Sequence, residues 1–259
     1  MLNFRASIIA LLFMGLHPYL VFPSDFEREQ RLISEMEANL FDGEVVYLSD
    51  GERDFAAVLI ENEQPRGSVV LLHGRGFHPD WQDVVGPVRV ALAAAGWSTL
   101  SAQMPVLEKG KKYYDYVPLF PESYKRIEAA VKFMRDNVPG PVVVLAHSCG
   151  AHMAMNWIDE VGDSKIDAYI GVGMGATDYG QDLIRPFPIA DMKVPLLDIL
   201  GTEEYSRVLA LAIVRKSILS RSRHPQSAQV FVEGADHYFK DRNEELGNAI
   251  IEWLGGLEF

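Results

Sequence analysis

A serine within a short motif of small residues is the first feature of this chain that could do chemistry. Ser148 lies in Ala-His-Ser-Cys-Gly, residues 146–150, directly after the apolar run 141–145. A strand that turns sharply into a helix holds its corner residue in a strained backbone conformation, and only small residues fit two positions before and after it. Ala146 and Gly150 meet that requirement. The motif therefore predicts a strained strand-to-helix corner that exposes the Ser148 hydroxyl at the end of a sheet.

The base and the acid that a serine nucleophile needs also occur, in the chain order serine, acid, histidine. The predicted base is His237, which follows the β-rich run 229–232 and the turn at Gly234. The favoured acid is Glu204, three residues after Gly201 at the end of an apolar run. The alternatives for the acid are Glu203, Asp198 and Asp178.

Backbone N–H groups that could stabilise an oxyanion are predicted in two places. Residues 67–72 have the pattern of a strand, and they run into His-Gly-Arg-Gly at residues 73–76. Glycines there let the backbone pass close to a reacting carbonyl and point its N–H groups inward. We predict that the donors are the backbone N–H of Arg75 and that of Cys149, the residue after the nucleophile. His73 is interpreted as a hydrogen-bonding residue under this loop.

Cys149, the single cysteine of the chain, is a rival nucleophile. If Cys149 were the corner residue, the flanking positions would be His147 and Ala151, and a histidine is too large for that position. Cys149 is therefore interpreted as a neighbour on the oxyanion side or as a small apolar filler. A single cysteine also excludes an internal disulfide.

The segments around these residues alternate between strand patterns and helix patterns. Near-continuous apolar runs, which are typical of strands covered on both faces, occupy 69–72, 142–145, 168–172 and 195–200. Amphipathic helical patterns occupy 84–95, 124–137, 151–161, 205–220 and 244–254. An initial antiparallel hairpin is predicted at 44–48 and 55–60. This order predicts the α/β class, with a mostly parallel central sheet and helices on both faces.

The reactive motifs resemble those of the α/β-hydrolase superfamily, and the resemblance covers nearly all of residues 44–259. His73-Gly74-x-Gly76 resembles the oxyanion loop, residues 146–150 resemble the nucleophile elbow, and residues 234–237 resemble the histidine loop. The resemblance implies the α/β-hydrolase fold. There are two departures from the common pattern: Ala146 replaces the usual first glycine of the elbow, and Glu204 stands where aspartate is commoner.

Two further stretches are similar to a narrower group. Residues 72–81 and 96–101 resemble a small bacterial branch of exported and biochemically uncharacterised proteins. This resemblance implies a fold and a compartment, but it implies no substrate.

Two connections are placed where they could shape a substrate site. Residues 104–123 are rich in aromatic residues and proline, with three lysines between 109 and 112, and we interpret them as a lid or pocket wall. Residues 177–192 stand where larger hydrolases insert a helical cap. This stretch is too short for a large cap domain.

The N-terminal segment has the pattern of a secretory signal. Arg5 precedes the apolar run 6–16, which is short for a bilayer span. We predict a signal peptide over residues 1–24 and a single α/β-hydrolase domain over 25–259, in an exported, periplasmic protein. The alternative is a membrane anchor through residues 6–22.

The charge of the chain bears on its partners. A net charge of −12 disfavours nucleic acid and anionic membranes, so we expect neither nucleic-acid binding nor stable membrane contact after removal of the signal. It also disfavours highly anionic substrates, unless Arg75 and the lysines between 109 and 112 gather local positive potential. No histidine, cysteine and carboxylate set has the spacing of metal ligands, so no metal and no cofactor is expected.

These patterns together predict a serine hydrolase that cleaves an ester or other acyl bond of a small substrate through an acyl-enzyme on Ser148. Acyl transfer uses the same residues and stays open. The alternative is a catalytically inactive α/β-hydrolase scaffold that acts as a binding or interaction protein, because a fold does not by itself imply a function.

Overall fold

A computed structural model of the protein describes residues 24–178, 180–221 and 224–259. The predicted signal peptide, apart from Ser24, lies outside these residues, and so does the alternative anchor at 6–22; export therefore stays a prediction. Within the described ranges, the structure contains no helix that is both long enough and apolar enough to cross a membrane.

The described residues form an eight-stranded sheet with the strand order β1-β2-β4-β3-β5-β6-β7-β8. The strands are β1 (Glu44–Ser49), β2 (Asp54–Ile60), β3 (Ser68–Leu72), β4 (Ser98–Ala102), β5 (Val142–His147), β6 (Ala168–Val172), β7 (Leu196–Gly201) and β8 (Ala228–Val232). β2 pairs antiparallel with β1 and with β4, and every other pair is parallel. The predicted mostly parallel sheet is confirmed, and the initial hairpin is present.

Helices cover both faces of this sheet, as predicted. They are α1 (Phe26–Asn39), α2 (Val85–Ala94), α3 (Tyr113–Tyr116), α4 (Phe120–Asn137), α5 (Cys149–Val161), α6 (Ser206–Leu219) and α7 (Asn243–Gly255). α4 and α5 pack together over one face, and α2 and α7 pack together over the other.

Most positions of β3, β5 and β6 are apolar because alternate side chains enter two different cores. In β3, Val70 and Leu72 join the cluster beneath α4 and α5, whereas Val69 and Leu71 join the cluster beneath α2 and α7. All four side chains are fully buried. The strand ends that carry the candidate site are therefore anchored in packed core on both sides.

α1 is an element that the sequence analysis did not predict. Its N-terminus is capped by Asp25, whose carboxylate accepts a hydrogen bond of 3.0 Å from the Arg28 backbone N–H. Ile33 and Met36 form a narrow apolar stripe that packs on β2 at Ala56 and Val58. Most of the other residues of the helix are polar or charged, so its sequence does not show a broad apolar face.

The two connections singled out in the sequence differ in structure. Residues 104–123 contain α3 and a short 3₁₀ turn, Val117–Leu119, before α4 begins. Between β6 and β7, by contrast, the described residues contain no helix and no strand. A large cap domain is therefore not part of the described structure.

Candidate active site

The elbow at Ser148 has the strained geometry that the motif predicted. Ser148 joins β5 to α5 with φ 53° and ψ −115°, a conformation that a residue with a side chain rarely adopts. Its backbone N–H donates to the carbonyl oxygen of Val172, at 3.0 Å. A Cβ at Gly150 would lie only 2.6 Å from the carbonyl oxygen of His73. Glycine is therefore required at that position, because the elbow presses against the end of β3.

Ser148, His237 and Glu204 form one continuous chain of hydrogen bonds. The Ser148 Oγ lies 2.8 Å from His237 Nε2, and His237 Nδ1 lies 2.9 Å from each carboxylate oxygen of Glu204. A carboxylate only accepts hydrogen bonds, so the ring carries its proton on Nδ1 and its Nε2 accepts from the serine hydroxyl. His237 and Glu204 are both buried, which fixes the ring in this orientation.

The other candidate acids have different partners. Asp198 is fully buried in β7, where its carboxylate accepts a hydrogen bond of 2.8 Å from Arg215. Asp178 accepts two hydrogen bonds from the guanidinium of Arg75. Glu203 is exposed. Of the four carboxylates considered, Glu204 is the one that bonds to His237.

Gly173 is a site residue that the sequence analysis missed. It directly follows β6 and has φ +59°. A Cβ there would lie 2.8 Å from Glu204 Oε1 and 3.0 Å from His237 Cε1, so a side chain would displace the hydrogen-bonded pair of Glu204 and His237. A glycine directly after a buried strand, as in Val172-Gly173, was the signal that could have found it.

The two residues predicted to supply oxyanion donors border Ser148. Arg75 and Cys149 line a small recess next to Ser148. Cys149 is the first residue of α5, where a backbone N–H has no acceptor within the helix. Among the described residues, neither of these two N–H groups donates a backbone hydrogen bond. Both are therefore free to donate to an oxygen placed beside Ser148.

Two buried histidines hold the surrounding loops and stay neutral. Burial lowers the pKa of His73 and that of His147 to about 3 each. His73 accepts from the Met104 backbone N–H at 2.9 Å, and its Nδ1 donates to Gly74 O at 2.8 Å, as expected for a residue under the loop. The His147 Nε2 donates to the backbone carbonyl of His237 at 3.0 Å. These rings position the oxyanion loop and the histidine loop.

Arg28 ties α1 to the same loop, which no pattern in the sequence indicated. Its guanidinium donates to the carbonyl oxygen of Gly76, at 3.1 Å, and to that of Leu107. A Cβ at Gly76 would lie 3.0 Å from the guanidinium. The unpredicted helix therefore supports the outer side of the oxyanion loop.

A cavity of about 300 Å³ opens over the Ser148 hydroxyl and the His237 ring. The remaining wall residues are mostly polar or aromatic: Arg75, Phe77, Lys112, Thr177, Asp178, Tyr205 and Tyr238. Lys112 comes from residues 104–123, which agrees with the interpretation of that stretch as a pocket wall. Within the part of the chain that the structure describes, no group of three or more histidines, cysteines and carboxylates is placed to hold a metal ion.

Comparison with known families gives one partial match. A family model described as a protein of unknown function, DUF3530, matches residues 21–114. The match contains the oxyanion loop and ends before the elbow. A search of curated proteins finds no match to this chain.

Solved structures resemble the chain over most of its length. A dienelactone hydrolase from Anabaena variabilis is 19% identical, with a TM-score of 0.63 over 82% of this chain and 95% of the other. An esterase from Pyrococcus furiosus is also 19% identical, with a TM-score of 0.62 over 85% and 94%. A serine hydrolase homologue from Coxiella burnetii is 15% identical, with a TM-score of 0.61 over 82% and 98%. The chain therefore has the α/β-hydrolase fold.

Proposed function

We propose that the protein is a serine hydrolase that cleaves an ester or other acyl bond through an acyl-enzyme on Ser148. The observation that carries this proposal is the hydrogen-bond chain from the Ser148 hydroxyl through His237 to Glu204, with distances of 2.8 and 2.9 Å. An ordinary strand-to-helix turn needs neither a buried imidazole nor a buried carboxylate behind it. The elbow strain at Ser148 supports the same conclusion, because strain of this kind concentrates at functional sites.

In the proposed reaction, the Ser148 oxygen attacks the acyl carbon and its proton passes to His237 Nε2. Glu204 stabilises the imidazolium that forms. The backbone N–H groups of Arg75 and Cys149 donate to the oxyanion of the tetrahedral intermediate. As the intermediate collapses, His237 returns its proton to the leaving alcohol. Water then attacks the acyl-enzyme by the same route, which releases the acid and restores the serine.

The names of the structurally similar proteins support the choice of an acyl bond. Esterases, a dienelactone hydrolase and a serine hydrolase homologue share the fold with this chain. Ester hydrolysis is the least demanding reaction for such a site, and the small, mostly polar cavity suits a small substrate.

Reaction of the full chain with a fluorophosphonate probe tests the proposal. Because the probe phosphonylates only an activated serine, we expect one adduct per chain by intact mass, located at Ser148 by peptide mapping. Ser148→Ala and His237→Ala are expected to give no adduct under the same conditions. Correctly folded wild-type protein that gives no adduct would instead favour a binding scaffold.

Gly173→Ala is expected to slow this labelling by about 100-fold, because displacement of a catalytic group by roughly 1 Å has an effect of this size. The added Cβ would meet Glu204 and His237 at 2.8 and 3.0 Å. The measurement is the second-order rate constant of adduct formation. Gly180→Ala is a matched control, because Gly180 also has positive φ and has open space where its Cβ would be. Equal labelling rates in the two variants would contradict the positioning role of Gly173.

A further inference from the structure

We propose that the substrate carries an anionic group, such as a carboxylate, and that Arg75 and Lys112 bind it. This inference rests on the proposed hydrolase function, because it names the class of substrate for the same site. Both cationic side chains line the cavity that contains Ser148 and His237.

The two cations share one carboxylate. Arg75 Nη1 lies 2.8 Å from Asp178 Oδ2, Arg75 Nη2 lies 3.3 Å from Oδ1, and Lys112 Nζ lies 3.2 Å from Oδ1. A guanidinium has five N–H donors and an ammonium has three, so both groups retain donors that Asp178 does not use. The cluster therefore keeps a capacity to bind a further anion.

Asp178 neutralises only one of these charges. Burial by itself would raise the pKa of Asp178, but hydrogen bonds from Arg75 and from the Tyr113 backbone N–H outweigh burial and lower its pKa to about 2. At neutral pH the carboxylate is therefore ionised, and the cluster carries a net charge of about +1. The positive charge stands out in a chain whose formal net charge is −12.

A contribution to fold stability does not explain the ion pair between Lys112 and Asp178. The Lys112 side chain is 64% exposed, and an ion pair with that exposure contributes little to folding stability. The Arg75 side chain is 26% exposed and faces the same space. Glu204, the other carboxylate of the site, is buried and pairs with His237, not with Arg75 or Lys112.

Two matched pairs of esters test the proposal and locate the anionic group. In the acyl pair, mono-4-nitrophenyl adipate is compared with its methyl ester, and release of 4-nitrophenol is measured. In the alcohol pair, 4-acetoxybenzoate is compared with methyl 4-acetoxybenzoate, and release of the phenol is measured. We expect wild-type protein to prefer the anionic member of at least one pair by about tenfold in kcat/KM, because a charge-assisted hydrogen bond has an effect of this size. The preference should shrink at high salt.

The variant Lys112→Gln is expected to lower the ratio of anionic to neutral kcat/KM by about tenfold, and Arg75→Gln is expected to lower it at least as much. The ratio is the appropriate measure, since it cancels any effect on the oxyanion loop that both substrates share. Lys111→Gln is the matched control, because Lys111 pairs with Asp115 at 3.8 Å and does not line the cavity. Its ratio should equal that of the wild type.

The outcomes separate this inference from the proposed function. Two results would overturn the anion-binding role alone, provided that fluorophosphonate labels Ser148. One is equal kcat/KM values within both pairs of esters, and the other is a preference for the anionic ester that Lys112→Gln leaves unchanged. If the labelled protein turns over none of the four esters, competition with the fluorophosphonate probe tests the inference instead. Free adipate or 4-hydroxybenzoate should then slow labelling of the wild type but not of Lys112→Gln. Absence of that effect overturns the inference. Absence of labelling overturns the proposed function itself.

Discussion

Ser148→Ala is expected to lower kcat/KM for hydrolysis of 4-nitrophenyl acetate by about 10⁴- to 10⁶-fold. The substitution removes the oxygen that lies 2.8 Å from His237 Nε2, so no acyl-enzyme can form. Residual turnover would come from the oxyanion donors and from substrate binding alone. The measurement is the initial rate of 4-nitrophenolate release after subtraction of the uncatalysed rate.

The stability of Ser148→Ala and the activity of Cys149→Ala are the two controls for this prediction. Alanine at residue 148 meets the same backbone strain as serine, so thermal unfolding of the variant should resemble that of the wild type. Cys149→Ala removes the neighbouring thiol, whose pKa burial raises to about 12, so the thiolate nucleophile is disfavoured at neutral pH. Full activity in Ser148→Ala, or an equal loss in Cys149→Ala, would contradict the assignment of Ser148 as the nucleophile.

Glu204→Gln is expected to lower kcat/KM by about 10⁴-fold while leaving the fold intact. Glu204 accepts the Nδ1 proton of His237 and so keeps Nε2 free to take the serine proton. A glutamine amide can donate to Nδ1 instead, which stabilises the tautomer with its proton on Nε2. That tautomer cannot act as the base. The measurement is ester hydrolysis at a fixed pH near neutrality.

Glu203→Gln is the matched control for this prediction. It makes the same chemical change one residue away, at an exposed position that does not contact His237. We expect its kcat/KM to stay within a few-fold of the wild-type value, since surface substitutions of this kind have small effects. A large loss in Glu203→Gln with normal activity in Glu204→Gln would show that the acid has been assigned to the wrong residue.

The sequence alone predicted the features that arise from local sterics and periodicity. Small residues on both sides of Ser148 predicted the strained corner, and a Cβ at Gly150 would meet the end of β3 in the structure. The near-continuous apolar runs predicted β3, β5, β6 and β7, because strands buried on both faces have apolar side chains at most positions. The α/β architecture follows from that alternation of strands and helices.

Elements whose residues break those patterns could not be predicted in the same way. β4 is buried yet contains Ser98, Thr99 and Ser101, and the hydroxyl of Ser101 is satisfied by the carbonyl oxygen of Pro79 at 2.6 Å. α1 buries only a narrow stripe, so its sequence resembles a polar surface segment. In both cases a contact with a distant part of the chain stabilises an element whose own sequence pattern is weak.

Only the tertiary structure decided which groups meet at the site. The choice between Glu203 and Glu204 depends on which of two adjacent side chains turns inward, and the deciding contact joins Glu204 to a loop 33 residues away. The need for glycine at Gly173 and the pairing of Arg75 with Lys112 around Asp178 likewise arise from loops that are distant in the chain. The sequence by itself predicted the strained corner at Ser148, the loop that carries His237 and the fold class, because local geometry constrains them. The sequence favoured Glu204 but left three other carboxylates open, because the pairing of Glu204 with His237 depends on how separate loops pack. The charge of the cavity depends on the packing of separate loops in the same way.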